Sequence, residues 1–187
     1  WQAGGTFGTL VAGPYTVTVK DANGCTKNQA VTITEPAVLL GSSISAQTNV
    51  LCKGNSTGSV TVAGSGGAGG YTYSINGGST WQAGGTFGSL AAAPYTVTVK
   101  DANGCTKNQV VTITEPVVVL SSAISSQTNA ACKGGATGSV TVAGNGGTPA
   151  YSYSINGGAT YQISGTFGAL ATGAYTVRVK DANGCTV

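Results

Sequence analysis

Tyr95-Thr96-Val97-Thr98-Val99-Lys100, then Asp101-Ala102-Asn103-Gly104, then Cys105 and the run to Val111-Thr112-Ile113-Thr114 decide the fold of this chain. Tyr95, Val97 and Val99 fall on one face of an extended segment, and Thr and Lys fall on the other. Val111 and Ile113 alternate with Thr112 and Thr114 in the same way. Period-two alternation built from β-branched and aromatic residues marks half-buried antiparallel strands. The Asp-x-Asn-Gly segment between them reads as a hairpin turn, with Asn103-Gly104 supplying positive φ.

The same stretch returns on both sides. Tyr15 to Cys25 precedes it by 80 residues, and Tyr175 to Cys185 follows it by 80. Between 1–36 and 81–116 only four positions differ: Thr9/Ser89, Val11/Ala91, Gly13/Ala93 and Ala30/Val110. A fixed period of this length signals an array of equivalent units, each contacting its neighbours. Duplicated units point to reach, multivalency or assembly, and away from a single catalytic centre.

Further alternating runs lie at Ser59-Val60-Thr61-Val62 and Tyr71-Thr72-Tyr73-Ser74-Ile75. No helical period is sustained anywhere. Pro cannot donate to a strand ladder, so Glu35-Pro36 and Glu115-Pro116 end strands and set the expected boundaries. Residues 1–36 are then the last three strands of a preceding domain, 37–116 a complete domain, and 117–187 a third domain lacking most of its final strand. Within 37–116 the expected strands are A near 38–48, B near 58–64, C near 71–76, D near 79–83, E near 86–90, F near 95–100 and G near 105–114. Seven short strands in such a length predict an all-β fold, a tandem series of immunoglobulin-like antiparallel β-sandwiches with an 80-residue period. Leu90 followed by Ala91-Ala92-Ala93-Pro94-Tyr95 fits the tyrosine corner of such sandwiches, and Tyr15 and Tyr175 occupy the same place. Residue 1 and residue 187 both fall inside a repeat, so the chain reads as a slice of something longer.

Composition narrows the function. Only 7% of residues are charged and the net charge is +3, dispersed over single positions. That argues against a nucleic-acid-binding face, which needs a clustered basic surface. There is no His, and the acids are Asp21, Asp101, Asp181, Glu35 and Glu115. Little is left for general acid–base chemistry or a zinc site, so no enzyme, metal or cofactor is expected. No apolar run is long enough to span a membrane, and no secretory signal is visible. Low surface charge removes like-charge repulsion between molecules and tolerates lateral packing.

Each unit also carries Cys-Lys-Gly, then Gly-Ser-Val-Thr-Val, Tyr-x-Tyr-Ser-Ile-Asn-Gly-Gly, the corner Tyr with its Asp-Ala-Asn-Gly-Cys, and Val-Thr-Ile-Thr-Glu-Pro. In combination this resembles the SprB-type repeat, named for a gliding adhesin of Bacteroidota, over essentially the whole chain. The resemblance implies long proteins secreted through the type IX system and displayed extracellularly on the cell surface as adhesins, stalks or filaments. It implies no catalytic residue and no cofactor. Its expected partners are neighbouring repeats or identical chains, with surface glycans at a tip outside this segment. Two departures are visible: Ile75 and Ile155 stand where family members often have Trp, and the chain is poorer in acid.

Two Cys per unit at fixed positions, in an exported protein, point to disulfides. Cys52 lies between strands A and B, and Cys105 follows the F–G turn at the opposite end of the same domain. Strands of six to ten residues separate those ends by roughly 20–30 Å. A disulfide needs Cα atoms within about 7 Å. The preferred pairing is therefore Cys52 with Cys185, where the A–B end of one domain meets the F–G end of the next. Cys25, Cys105 and Cys132 then have partners in neighbouring repeats, on the same chain or another. Intra-domain Cys52–Cys105 with Cys132–Cys185, and free thiols packed as small apolar groups, are the alternatives.

Several weaker signals have plainer readings. Asp101-Ala102-Asn103-Gly104 resembles part of a calcium loop, but calcium wants six to eight oxygens and this turn has one carboxylate. Thr16/Thr18, Thr96/Thr98, Thr32/Thr34 and Thr112/Thr114 form Thr-x-Thr ladders that suit ice binding or ordinary outer strand faces. Trp1 and Trp81 suit either ligand stacking, as in a lectin, or a structural place in the core or at a domain junction, which Tyr161 also fits. Asn55-Ser56-Thr57 matches a glycosylation sequon, but Gly135-Ala136-Thr137 replaces it in the third copy.

Overall fold

In the computed structural model, which describes residues 1–187, thirteen strands and no helices form the chain. The central unit shows why the alternating segments pair as they do. Its strands are β3 (Gly41–Thr48), β4 (Gly58–Ser65), β5 (Thr72–Ser74), β6 (Thr86–Leu90), β7 (Ala93–Lys100) and β8 (Thr106–Ile113). They make two antiparallel sheets, ordered β3-β4-β6 and β5-β7-β8. In sandwich lettering these are A-B-E and C-F-G, an immunoglobulin-like layout. Val60 and Val62 of the first sheet face Val97, Val99, Val111 and Ile113 of the second in one apolar cluster. Each of these residues sits at every second position of its strand, so the period read from sequence is the period of the core. Gly58 is small for a reason: a Cβ there would stand 2.6 Å from the Ile113 side chain.

The expected strand D near 79–83 does not form. Only a single bridge joins Tyr73 to Gln82. The preceding residues are wound into a turn by side chains instead. Asn76 Oδ1 accepts from Thr80 N (3.0 Å) and from the Ser74 hydroxyl (2.8 Å), while Ser74 Oγ accepts from Gly78 N (2.9 Å). Such Asx-type bonds compete with a ladder for the same backbone groups.

The flanking units repeat this plan as far as their partners allow. The first holds β1 (Gly13–Lys20) and β2 (Thr26–Ile33), paired from Gly13↔Ile33 to Lys20↔Thr26. Two strands are found where three were expected. Residues 6–10 match β6 in sequence, but β6 is a strand because it pairs with β4, and nothing equivalent to β4 lies beside 6–10. The third unit holds β9 (Ser121–Thr128), β10 (Gly138–Asn145), β11 (Ser152–Ser154), β12 (Thr166–Leu170) and β13 (Arg178–Lys180). Its sheets are β9-β10-β12 and β11-β13. β13 is three residues where β7 is eight; of the residues matching β8, Thr186 and Val187 pair with it.

Candidate functional site at the repeat junction

Asp101 shapes the F–G turn. Its Oδ1 accepts from Asn103 N (3.0 Å) and Cys105 N (2.9 Å), and its Oδ2 accepts from Ala68 N (3.0 Å) in the B–C loop. Gly104 adopts φ +83° and closes the turn with a bond from its N–H to the Asp101 carbonyl (3.0 Å). Gly104 alone supplies the positive φ: Asn103 does not share it, because the connection is a five-residue loop rather than a two-residue turn. Asp181 repeats the arrangement with Asn183 N, Cys185 N and Thr148 N. Asp21 keeps the two bonds within its own turn.

Donation from Ala68 N, followed by the turn N–H groups, holds the Asp101 carboxyl below its ordinary value. A depressed folded pKa means stability that is fully present above the ordinary value of 3.8 and is lost as pH falls through the lower, folded one. Asp101→Asn is therefore expected to unfold the central unit at lower urea near neutral pH and to flatten its acid-side decline. Urea midpoints of both chains at pH 7 and pH 3 check this. Equal pH slopes would remove Asp101 from the acid response.

Once shaped, the turn in the third unit reaches its neighbour. Asn183 Nδ2 donates to the Leu51 carbonyl of the central unit (3.0 Å) and to Thr148 Oγ1 (2.8 Å). Two residues on, Cys185 is joined to Cys52 by a disulfide, with the Cα atoms 5.6 Å apart. The A–B loop that carries Cys52 is also tied to the segment linking the two units, on either side of Pro116. Gly54 N donates to Glu115 Oε2 (2.7 Å), and Lys53 Nζ donates to the Val117 carbonyl. The residues of Asp-x-Asn-Gly-Cys thus divide the work of the junction. Asp and Gly fix the turn, Asn reaches across, and Cys is the crosslink. Sequence reasoning placed Asn103 in the turn but missed the crossing contact made by its equivalent Asn183, and it missed the Glu115 and Lys53 contacts. Cys25, Cys105 and Cys132 are exposed and unbonded.

The other singled-out residues are placed as follows. Tyr15, Tyr95 and Tyr175 each donate their hydroxyl to the carbonyl four residues upstream, at Val11 (2.9 Å), Ala91 (3.1 Å) and Ala171 (3.1 Å). Each bond ties its tyrosine to the segment leading into the F position. Trp81 lies outside the apolar core, half-buried, with Lys100 Nζ 3.9 Å from its ring centroid. Lys20 over Trp1 and Lys180 over Tyr161 repeat this cation–π pair. No three His, Cys, Asp or Glu side chains gather to hold a metal ion, and no helix is long and apolar enough to cross a membrane.

Fold and junction together define a tandem array of all-β, immunoglobulin-like repeats. The family model of the SprB repeat matches residues 44–80 and 124–160, two segments 80 residues apart, and the chain carries SprB repeats at these places. SprB repeats are structural units of cell-surface repeat proteins of gliding-adhesin type. No curated protein matches the chain.

Proposed function

We propose that this chain is a structural stretch of a long secreted adhesin or extracellular filament, in which each repeat adds length and disulfides stiffen the junctions. Repeat boundaries fall at Glu35-Pro36 and Glu115-Pro116, and the partners are other repeats of the same kind. The observation that carries this reading is the junction itself. The A–B loop of one repeat meets the F–G turn of the next through Asn183 to Leu51 and through Cys52–Cys185. A hydrogen-bonded and covalent hinge of this kind restricts bending between successive units. Cys25, Cys105 and Cys132 then pair by the same rule with repeats on either side. Nothing in the composition supplies a catalytic apparatus.

Non-reducing peptide mapping by mass spectrometry tests the reading. A peptide joining the segment around Leu51-Cys52 to the one around Cys185-Thr186-Val187 is expected. Ala131-Cys132 and Cys105-Thr106-Lys107 differ enough in sequence to identify the copies. Links confined to one repeat, Cys52–Cys105 or Cys132–Cys185, would sink the stiffened junction.

A further inference from the structure

We propose that the Cys52–Cys185 bond is a tension bypass: it carries axial load around the body of the sandwich, so that β3 is stretched along its own backbone and residues 53–184 carry none of the load that passes through this bond. The inference rests on the junction pairing described above and goes on to its mechanics.

Consider first the chain without the bond. Load enters the central unit at the start of β3 and leaves at the end of β8. The contacts between these strands run in the same direction along both. Ser42 Oγ meets Gln109 Oε1 (3.3 Å), and Gln47 Nε2 donates to the Thr112 carbonyl (2.8 Å). Further on, Thr114 N donates to Asn49 Oδ1 (3.1 Å), and Val50 N donates to the Thr114 carbonyl (2.9 Å). β3 and β8 are therefore parallel. Pulling β3 from its start and β8 from its end drives them past each other, and these few hydrogen bonds, each modest in net strength, resist the shear.

The disulfide changes the path. Cys52 follows the end of β3, so β3 is held at its start by the incoming chain and at its end by the bond to Cys185. Force passes along the β3 backbone, crosses the sulfurs, and continues beyond residue 185. Everything enclosed by the 133-residue separation is slack to the load. The clasp between β3 and β8 is no longer sheared.

Applied at every period, the rule gives two covalent tracks running side by side. One track reaches a repeat at its F–G cysteine, follows its G strand, crosses into strand A of the next repeat, and leaves at the A–B cysteine. From Cys105 to Cys132 this is 28 residues for every two repeats. Forming each bond takes two thiols, releases two protons, and passes two electrons to an exogenous disulfide such as oxidised glutathione, which leaves as two thiols. An array wired this way is close to inextensible while its domains stay folded.

Optical-tweezer stretching of residues 1–187, held through peptide tags at the two termini, tests this. The oxidised chain is expected to lengthen by no more than the contour of residues 1–52 and 185–187, about 190 Å at ~3.4 Å per residue. Adding reductant releases about 450 Å more. Cys52→Ser, stretched without reductant, reaches the reduced length. If mapping shows Cys52–Cys185 but reduced, Cys52→Ser and oxidised chains all stop at the same length under the same force, the non-covalent junction carries the load and the bypass is overturned, with the stiffened junction left standing. A within-repeat link in the mapped material sinks both.

Discussion

Gly85→Ala is expected to cost the central unit on the order of 4 kcal/mol, while Gly5→Ala changes stability by no more than about 0.5 kcal/mol. The two glycines occupy the same place in segments that differ at only four positions. A Cβ on Gly85 would stand 1.9 Å from the Val62 carbonyl oxygen and 3.1 Å from the Tyr73 ring; at Gly5 nothing lies within 4 Å. The close approach is fixed by a hydrogen bond from Val62 N to the Gly85 carbonyl (2.9 Å), so the two backbones cannot part without breaking it. Val62 is in the core, and any shift of β4 opens the packing on both sheets. The third unit repeats the geometry: a Cβ on Gly165 would run into the Val142 carbonyl, and the Gly165 carbonyl accepts from Val142 N (2.9 Å). A domain holds only ~5–15 kcal/mol in total, so a loss of this size brings the unit close to its unfolding midpoint at ordinary temperature. Urea unfolding followed by hydrogen exchange, read unit by unit, measures it. An alanine tolerated at position 85 would mean that strand E does not approach strand B as closely as the structure has it.

This contrast also marks what the sequence could disclose. Tyr95 to Lys100, Val111 to Thr114 and Ser59 to Val62 were legible because burial on one sheet face imposes a period of two on the residues themselves. Strand D was misread because Asn76 and Ser74 divert backbone groups into a turn, and side-chain capping of that kind leaves no periodic trace. The third strand of residues 1–36 was misread for a different reason. Thr6 to Leu10 has the composition of β6, but a strand exists only where another pairs with it, and pairing is not a property of the segment alone. At the junction, the turn-forming residues of Asp-x-Asn-Gly-Cys could be read from local chemistry. The reach of Asn183 to Leu51 could not, because it depends on how one repeat is set against the next. Trp81 posed the same difficulty in reverse: a large aromatic suits the core, but it lies half-buried outside it with Lys100 Nζ over its ring.

Val99→Ala and Val19→Ala separate sequence from context in the same spirit. Both valines lie in the run Val-Thr-Val-Lys before the same turn, and both pair with a Lys across their hairpins, Lys107 and Lys27. Val99 is 0% exposed and Val19 is 64% exposed. The strand beneath them is the same, and the difference is the second sheet, β3-β4-β6, which covers Val99 and has no counterpart over Val19. Removing two methyl groups from the closed core costs about 2–3 kcal/mol through lost burial and the cavity left behind. Removing them from an exposed face costs within about 0.5 kcal/mol. Val179 of the third unit, also 0% exposed, should behave like Val99. Chemical denaturation of the three variants, with the protein dilute, provides the comparison. Should Val19→Ala lose as much as Val99→Ala, the apolar face of β1 and β2 is covered in solution. A loss at Val19 that appears as protein concentration rises would identify that cover as strand complementation between copies, since mass action acts on an intermolecular sheet and leaves the closed core of the central unit untouched.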